Sequence, residues 1–402
     1  MLVVCRILIV VGLSSILLLE KVFGASVACL FLISVVTVDP RHYLRLTVPD
    51  YLFIATLSLY PLVVILRSLA SDTFIVSELD NPSRFLLIIP VYLWMRVQGA
   101  QLPYVIVGAV LACFLNAGVF GYEFLSGTTW TRIYGHENSV TFAQVAFLLT
   151  TLALIPAALV KEAVGNVRKM YCIGILALGL VSVLVSQTRT VVIISPLLLL
   201  AFVFFSDTYV FSRREKLLSA VVVSLVGYWV FMGGSFLRMS ELLVETQELL
   251  INRSIPAYES SQVRIALWQV GWDIFQQNIW TGVGKGEFHS AAESIHRANP
   301  DISNAVLGYR HAHNEFLNLG VELGISGMAA ILVTMTMIPL LSYKGEFSSE
   351  SRYLLVITVM SWWLFGTTDA VLENHKITLL IVFMLCIGFA EGLNTKFGRL
   401  DE

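Results

Sequence analysis

Apolar residues run along the chain in long blocks, separated by short clusters of polar and charged ones. Twelve blocks stand out: 3–19, 22–38, 51–69, 85–98, 104–121, 140–160, 171–187, 190–206, 216–234, 313–342, 353–368 and 376–392. Most approach the ~20 residues that a helix needs to cross the hydrocarbon core of a bilayer. The fourth is short and the tenth long, so mismatch or tilt is expected there. The pattern predicts an all-α integral membrane protein of about twelve transmembrane helices, without a repeat at a fixed period or a low-complexity tract.

One long hydrophilic stretch, 235–312, interrupts the series. It divides the chain into nine spans over 1–234, a large loop over 235–312, and three spans over 313–402. Structureless loops of this length are uncommon, so helices are expected within it. Val263, Leu267, Val270 and Ile274 recur at helical spacing, with Arg264, Trp268, Gly271 and Phe275 one position round. Residues 240–252 carry a weaker amphipathic pattern. Such helices can lie on the membrane surface, cap the bundle or line a site.

The basic residues set the orientation. With the N-terminus inside, the inner segments hold fourteen: Arg6, Arg41, Arg45, Arg96, Lys161, Arg168, Lys169, Arg213, Arg214, Lys216, Lys344, Arg352, Lys396 and Arg399. The short outer loops hold six: Lys21, Arg67, Arg84, Arg132, Arg189 and Lys376. Lys and Arg accumulate on the cytoplasmic side, so both termini are expected there and the large loop outside.

Composition narrows the class. Only 13% of the residues are charged, 57% are apolar, and the mean hydropathy is +0.79. A soluble domain carries about 25% charged residues, so a soluble enzyme, a disordered chain and a nucleic-acid binder are excluded. The net charge of −2 adds little. All five cysteines fall in apolar blocks and read as packing residues without ligand spacing. Arg6 before an apolar block resembles a signal peptide, but a second block follows from Val22, which favours a retained first span.

Against this background a few polar residues stand out. Arg189, in Ser186-Gln187-Thr188-Arg189-Thr190, interrupts the apolar stretch 171–205. An arginine at membrane depth is unfavourable by ~2.5–3.5 kcal/mol on insertion scales. It either snorkels to the interface or clamps an anion with its planar paired donors. Arg310-His311-Ala312-His313-Asn314-Glu315 opens the tenth block. Its histidines could hydrogen-bond within the bundle, ligate a metal, transfer a proton or bind phosphate. No HExxH or cysteine partner accompanies them, so no metal is expected. Arg132 heads the sixth block. Gly282-Val283-Gly284-Lys285-Gly286 either turns its amides towards an anion or is a plain turn. Asp369, followed by Glu373 and His375, either orients a catalytic residue or pairs with Lys376. Arg132, Arg189, Arg264, Arg310, His311 and His313 together point to an anionic lipid headgroup. A diphosphate, both anchor and leaving group, suits them well.

Three blocks resemble the O-antigen ligase and polymerase superfamily of bacterial inner membranes, and within it the ligases. They are Gln187-Thr188-Arg189 at the head of a span; Arg264 with Trp268, Phe275 and Thr281-Gly282-Val283-Gly284; and His313-Asn314 spaced from Gly324 and Gly327. Ile193 stands where the ligases often place leucine, a conservative departure. The resemblance implies a GT-C-like membrane enzyme of lipopolysaccharide biosynthesis that acts at the periplasmic face. Its donor would be undecaprenyl-diphosphate-linked O-antigen and its acceptor lipid A–core, among membrane lipids and without nucleic acid. The reaction would be a metal-independent, inverting glycosyl transfer without cofactor. His313, Arg189 and Arg264 would be catalytic. Arg189, Arg264, Arg310, His311 and Arg132 would bind the diphosphate, with Asn314 and Asp369 in support.

Three other readings compete. An O-antigen polymerase uses the same donor but often carries a second basic outer loop, and the outer loop 122–139 is short. A protein O-oligosaccharyltransferase of the same superfamily is another enzyme reading. A twelve-span transporter would place its site near the midplane on discontinuous helices, whereas the polar residues here gather on one face.

Overall fold

The computed structural model describes residues 1–70, 76–99, 101–126, 138–155, 165–186, 188, 190–192, 212–218, 221, 260–299 and 304–398. Arg132, Arg189, the 240–252 pattern and most of the runs 190–206 and 216–234 lie outside them. The described residues contain no strand. In chain order they form α1 (Leu2–Ser15), α2 (Val22–Thr37), α3 (Val48–Leu69), α4 (Asp80–Leu87), α5 (Ile89–Gln98), α6 (Leu102–Leu125), α7 (Ser139–Ala153) and α8 (Gly165–Val185). Beyond these come α9 (Ser260–Gln277), α10 (Phe288–Ala298), α11 (Glu315–Lys344), α12 (Ser349–Gly366) and α13 (His375–Phe397).

Among the described residues, four helices are long and apolar enough to cross a membrane: α3, Leu102–Glu123 of α6, α11 and α13. α1, α2, α7 and Met170–Val185 of α8 are apolar but shorter. The fourth apolar run is not one helix. The chain breaks at Ile88 between α4 and α5, and a proline stands in the first turn of α5. Proline lacks an N–H, which a helix start leaves unbonded in any case, so it begins a helix more readily than it continues one.

α13 is the central helix. In its apolar window 89% of the residues are buried, against 33–44% in the other three. A helix apolar all round belongs inside a bundle. It packs against α12, α5 and α4, while α1 lies on α6 and α2, and α11 on α3 and α12. Phe389 of α13 stacks on Phe53 of α3 with centroids 4.2 Å apart.

Polar side chains sit at both ends of this core. At one end Arg96 donates Nε to Asp50 at 2.9 Å and also bonds Asn394 near the end of α13. Asp50 in turn accepts the Thr47 N–H and closes the start of α3. Both partners of the ion pair are buried, so removing either would leave an uncompensated charge. At the other end the 281–287 turn, the start of α11 and the 367–374 turn come together.

α9 and α10 have a small core of their own. Val263, Leu267, Val270 and Ile274, the stripe seen in the sequence, are buried with Phe288, Ala292, Val306, Ala312 and Val321. Fully burying side chains such as Leu267 contributes ~1.5–3 kcal/mol each.

The long tenth run is accommodated by a break as well as by length. Gly324 adopts φ 64°, ψ −157° inside α11. The carbonyls of Val321 and Glu322 accept instead from the N–H groups of Val283 and Gly284, at 2.8 and 2.9 Å. The Ile325 N–H donates to Ile279 O at 2.8 Å. Irregular backbone at membrane depth is tolerated only where protein satisfies it, and here the glycine turn does so. A Cβ on Gly282 (φ 64°) would lie 2.3 Å from the Glu322 carbonyl carbon, and one on Gly324 2.5 Å from that of Trp280. No side chain fits at either crossing.

Candidate active site

His313 lies in the turn before α11 and Asp369 in the turn between α12 and α13. Asn314 caps α11 by accepting the Leu317 N–H, and its amide donates to Thr367 O at 3.0 Å. That cap fixes where the helix starts and ties it to the turn that carries Asp369. Across this joint His313 Nδ1 and Asp369 Oδ1 stand 3.1 Å apart, both partly exposed. An ionised carboxylate only accepts, so the proton between them belongs to Nδ1 and the Nε2 lone pair is left free. Burial works to raise the Asp369 carboxyl. The His313 hydrogen bond, the charges of His313 and His311, and Arg264 outweigh it and hold Asp369 below the ordinary carboxylate range.

The backbone of His313 has φ 49°, which residues with a Cβ adopt infrequently. Its neighbours impose this. Trp268 Nε1 of α9 donates to His313 O at 3.4 Å, and the rings of Tyr309 and His311 pack edge-on at 5.2 and 4.2 Å. Burial, then the charge of His313, lowers the His311 imidazole. Arg264, one turn before Trp268 on α9, is half-buried, and Arg310 is exposed at the rim. Arg264, Arg310, His311, His313, Asn314 and Asp369 therefore gather at one end of the bundle.

Of the two readings of Asp369, the pair with His313 is the one observed, and Lys376 Nζ instead donates to Ile16 O at 3.3 Å. Three amides of the glycine turn are taken up within the protein. Those of Val283 and Gly284 donate to α11 carbonyls and that of Gly286 to Glu322 Oε1. Arg67 at the end of α3 also belongs to this turn, donating to the carbonyls of Thr281 and Gly282 at 2.9 and 3.1 Å. Arg132 and Arg189 cannot be located among the described residues. Thr188, the chain neighbour of Arg189, donates to Ser139 O at the start of α7 at 2.8 Å. Thr141, two residues further on, accepts from Asn374 of the Asp369 turn at 2.8 Å.

Near the pair lies an ion cluster whose pairing the sequence did not reveal. Lys285 Nζ bonds Glu322 Oε2 at 2.9 Å and Glu373 Oε1, and Glu315 Oε2 accepts the Leu372 N–H at 2.9 Å. Burial works against the Lys285 charge, but the two glutamates outweigh it and hold the ammonium well above the usual lysine range. The signal was present: Glu315 and Glu322 are acids two helical turns apart in an apolar run, and ionisable residues in such runs normally mark function.

His311, His313 and Asp369 offer ligand atoms all within 4.8 Å of one another, which a metal ion could bridge. In this geometry His313 Nδ1 and Asp369 Oδ1 serve each other.

No curated protein sequence matches the chain. Residues 174–332 match a family described as O-antigen ligase, a segment that takes in Arg189, Arg264 and both histidines but not Asp369. Over that segment the chain is similar to the O-antigen ligase family.

Proposed function

We propose that the protein transfers O-antigen polysaccharide from undecaprenyl diphosphate to lipid A–core at the periplasmic face of the bacterial inner membrane. The observation that carries this reading is the His313–Asp369 pair beside Arg264, with the histidine and arginine inside the matched segment. The acceptor hydroxyl attacks the anomeric carbon of the donor. Its proton goes to His313 Nε2, Asp369 stabilises the imidazolium that forms, and the bond to the diphosphate oxygen breaks with inversion. Arg264 and Arg189 hold the diphosphate and offset the charge that develops as it leaves, with Arg310, His311 and Arg132 at the rim. In this scheme the arginines supply the positive charge at the leaving group, and no step is assigned to a metal or a cofactor. The distribution of basic residues supports cytoplasmic termini and an outward-facing site, with the Arg96 network at the inner end.

In cells that lack their own ligase, expression of this chain should restore polysaccharide attached to lipid A–core. Polymer left on its lipid carrier, with core unmodified, would refute the reading. Core carrying at most one repeat in its absence, and long chains in its presence, would assign it as the polymerase instead.

A further inference from the structure

We propose that Lys285 is a positioning residue for the His313–Asp369 pair, acting through Glu373 and Asn318; the inference rests on the role given to His313 above. Four observations lead to it. Lys285 Nζ is buried between two carboxylates from different elements, Glu322 of α11 and Glu373 of the turn that also carries Asp369. Glu373 Oε1 also accepts from Asn318 Nδ2 at 3.2 Å. Asn318 Oδ1 in turn accepts the N–H of Ala312, between the two histidines, at 3.2 Å. His313 itself holds an uncommon positive φ, which surrounding structure must enforce.

The links form one path: Lys285 to Glu373, Glu373 to Asn318, Asn318 to the Ala312 peptide, and from there to His313. A second path runs from Glu373 along four residues of chain to Asp369. Asn81 Nδ2 donates to Glu373 O at 2.9 Å, so the backbone of this turn is also held from α4. Lys285 thus ties the glycine turn to both halves of the pair. Without its ammonium, two buried carboxylates lack their counter-charge, Glu373 draws away from Glu322, and the Asn318 link slackens. His313 is then free to leave its positive φ, and Nδ1 separates from Asp369. Lys285 touches no reacting atom in this scheme.

The test compares wild type with Lys285→Met and Lys285→Met/Glu322→Gln, all purified in detergent. The double variant also removes the orphaned charge on α11, so it covers the case in which the single variant fails to fold, while Glu373 still lacks the ammonium that holds it under Asn318. Two readouts are taken on protein matched for folded amount. In the transfer reaction kcat is expected to fall by roughly 10²-fold with donor KM little changed, as displacement of a catalytic group by ~1 Å does. Without any substrate, carbethoxylation of His313 by diethyl pyrocarbonate, followed by mass spectrometry, is expected to speed up severalfold in both variants. Asp369→Asn should show the same acceleration, while partly buried His296, away from the pair on α10, reacts at an unchanged rate. Wild-type kcat in either variant, or unchanged labelling of His313 in folded variants, would overturn the proposal. The labelling needs no transfer activity, so accelerated labelling beside an inactive wild type would uphold the positioning role and reject the ligase reading.

Discussion

His313 Nδ1 lies 3.1 Å from Asp369 Oδ1, although 56 residues separate them in the chain. The pair closes the joint between the start of α11 and the turn that leads into α13. Asp369→Asn keeps the shape of the side chain and removes the charge that would stabilise an imidazolium. Its transfer rate is expected to fall by ~10²-fold, within the usual range for general acid–base contributions. Steady-state kinetics on detergent-purified protein, with thermal denaturation as the control for folding, provide the check. An unchanged rate would remove Asp369 from the chemistry.

Arg264 separates binding of charge from its mere presence. A guanidinium offers planar paired donors to phosphate oxygens, and an ammonium does not. Arg264→Ala is expected to lose roughly 10²–10³-fold in kcat, as does removing a donor aimed at developing negative charge. Arg264→Lys should recover only a small part of that loss. Full recovery by lysine would reduce Arg264 to a general electrostatic role.

The crossing of the glycine turn over the break in α11 makes a prediction about stability. Gly282→Ala and Gly324→Ala each put a methyl group against backbone at 2.3–2.5 Å and hold it at φ 64°. Backbone strain alone accounts for ~1–3 kcal/mol at such a site, and the overlap adds to it. Both variants should show much less folded protein in the membrane fraction and a lower thermal midpoint. Gly24→Ala, with nothing within 4 Å of the added Cβ, should behave as wild type.

The site was legible in unequal parts. Arg264, His311, His313, Asn314 and Asp369 were visible as polar residues in an apolar chain, and the structure brings them to one end of the bundle. The stripe Val263, Leu267, Val270 and Ile274 was legible because helical periodicity depends only on local spacing, and these residues are indeed the buried face of α9. The break at Gly324 was not, because it depends on Val283 and Gly284 meeting Val321 and Glu322 from another segment. The break at Ile88 followed from Pro90, a local signal hidden by the apolarity of the surrounding run. Lys285 was hidden for a different reason. A lone lysine in a hydrophilic loop reads as solvated, and only folding brings it to Glu322 and Glu373.

Acid stability follows from His311. Burial and the neighbouring His313 place its folded value below the ordinary 6.5. As pH falls, the unfolded chain takes up this proton first. Stability present above 6.5 is therefore lost as pH drops through the folded value. Asp369 is also lowered, so its contribution is lost only below 3.8 and leaves this window untouched. Between about pH 7.5 and pH 5.5 the wild-type thermal midpoint should lose more than that of His311→Asn. Equal slopes in the two proteins would show that His311 does not govern the loss.

The most direct measurement is a reaction in detergent with purified protein, undecaprenyl-diphosphate-linked saccharide and lipid A–core. The expected products are saccharide joined to lipid A–core with inverted anomeric configuration and one undecaprenyl diphosphate released per transfer. Both should be lost in His313→Ala at equal folded amount. Growth of the saccharide on its lipid carrier, no product with wild type, or undiminished product with His313→Ala would contradict the assignment.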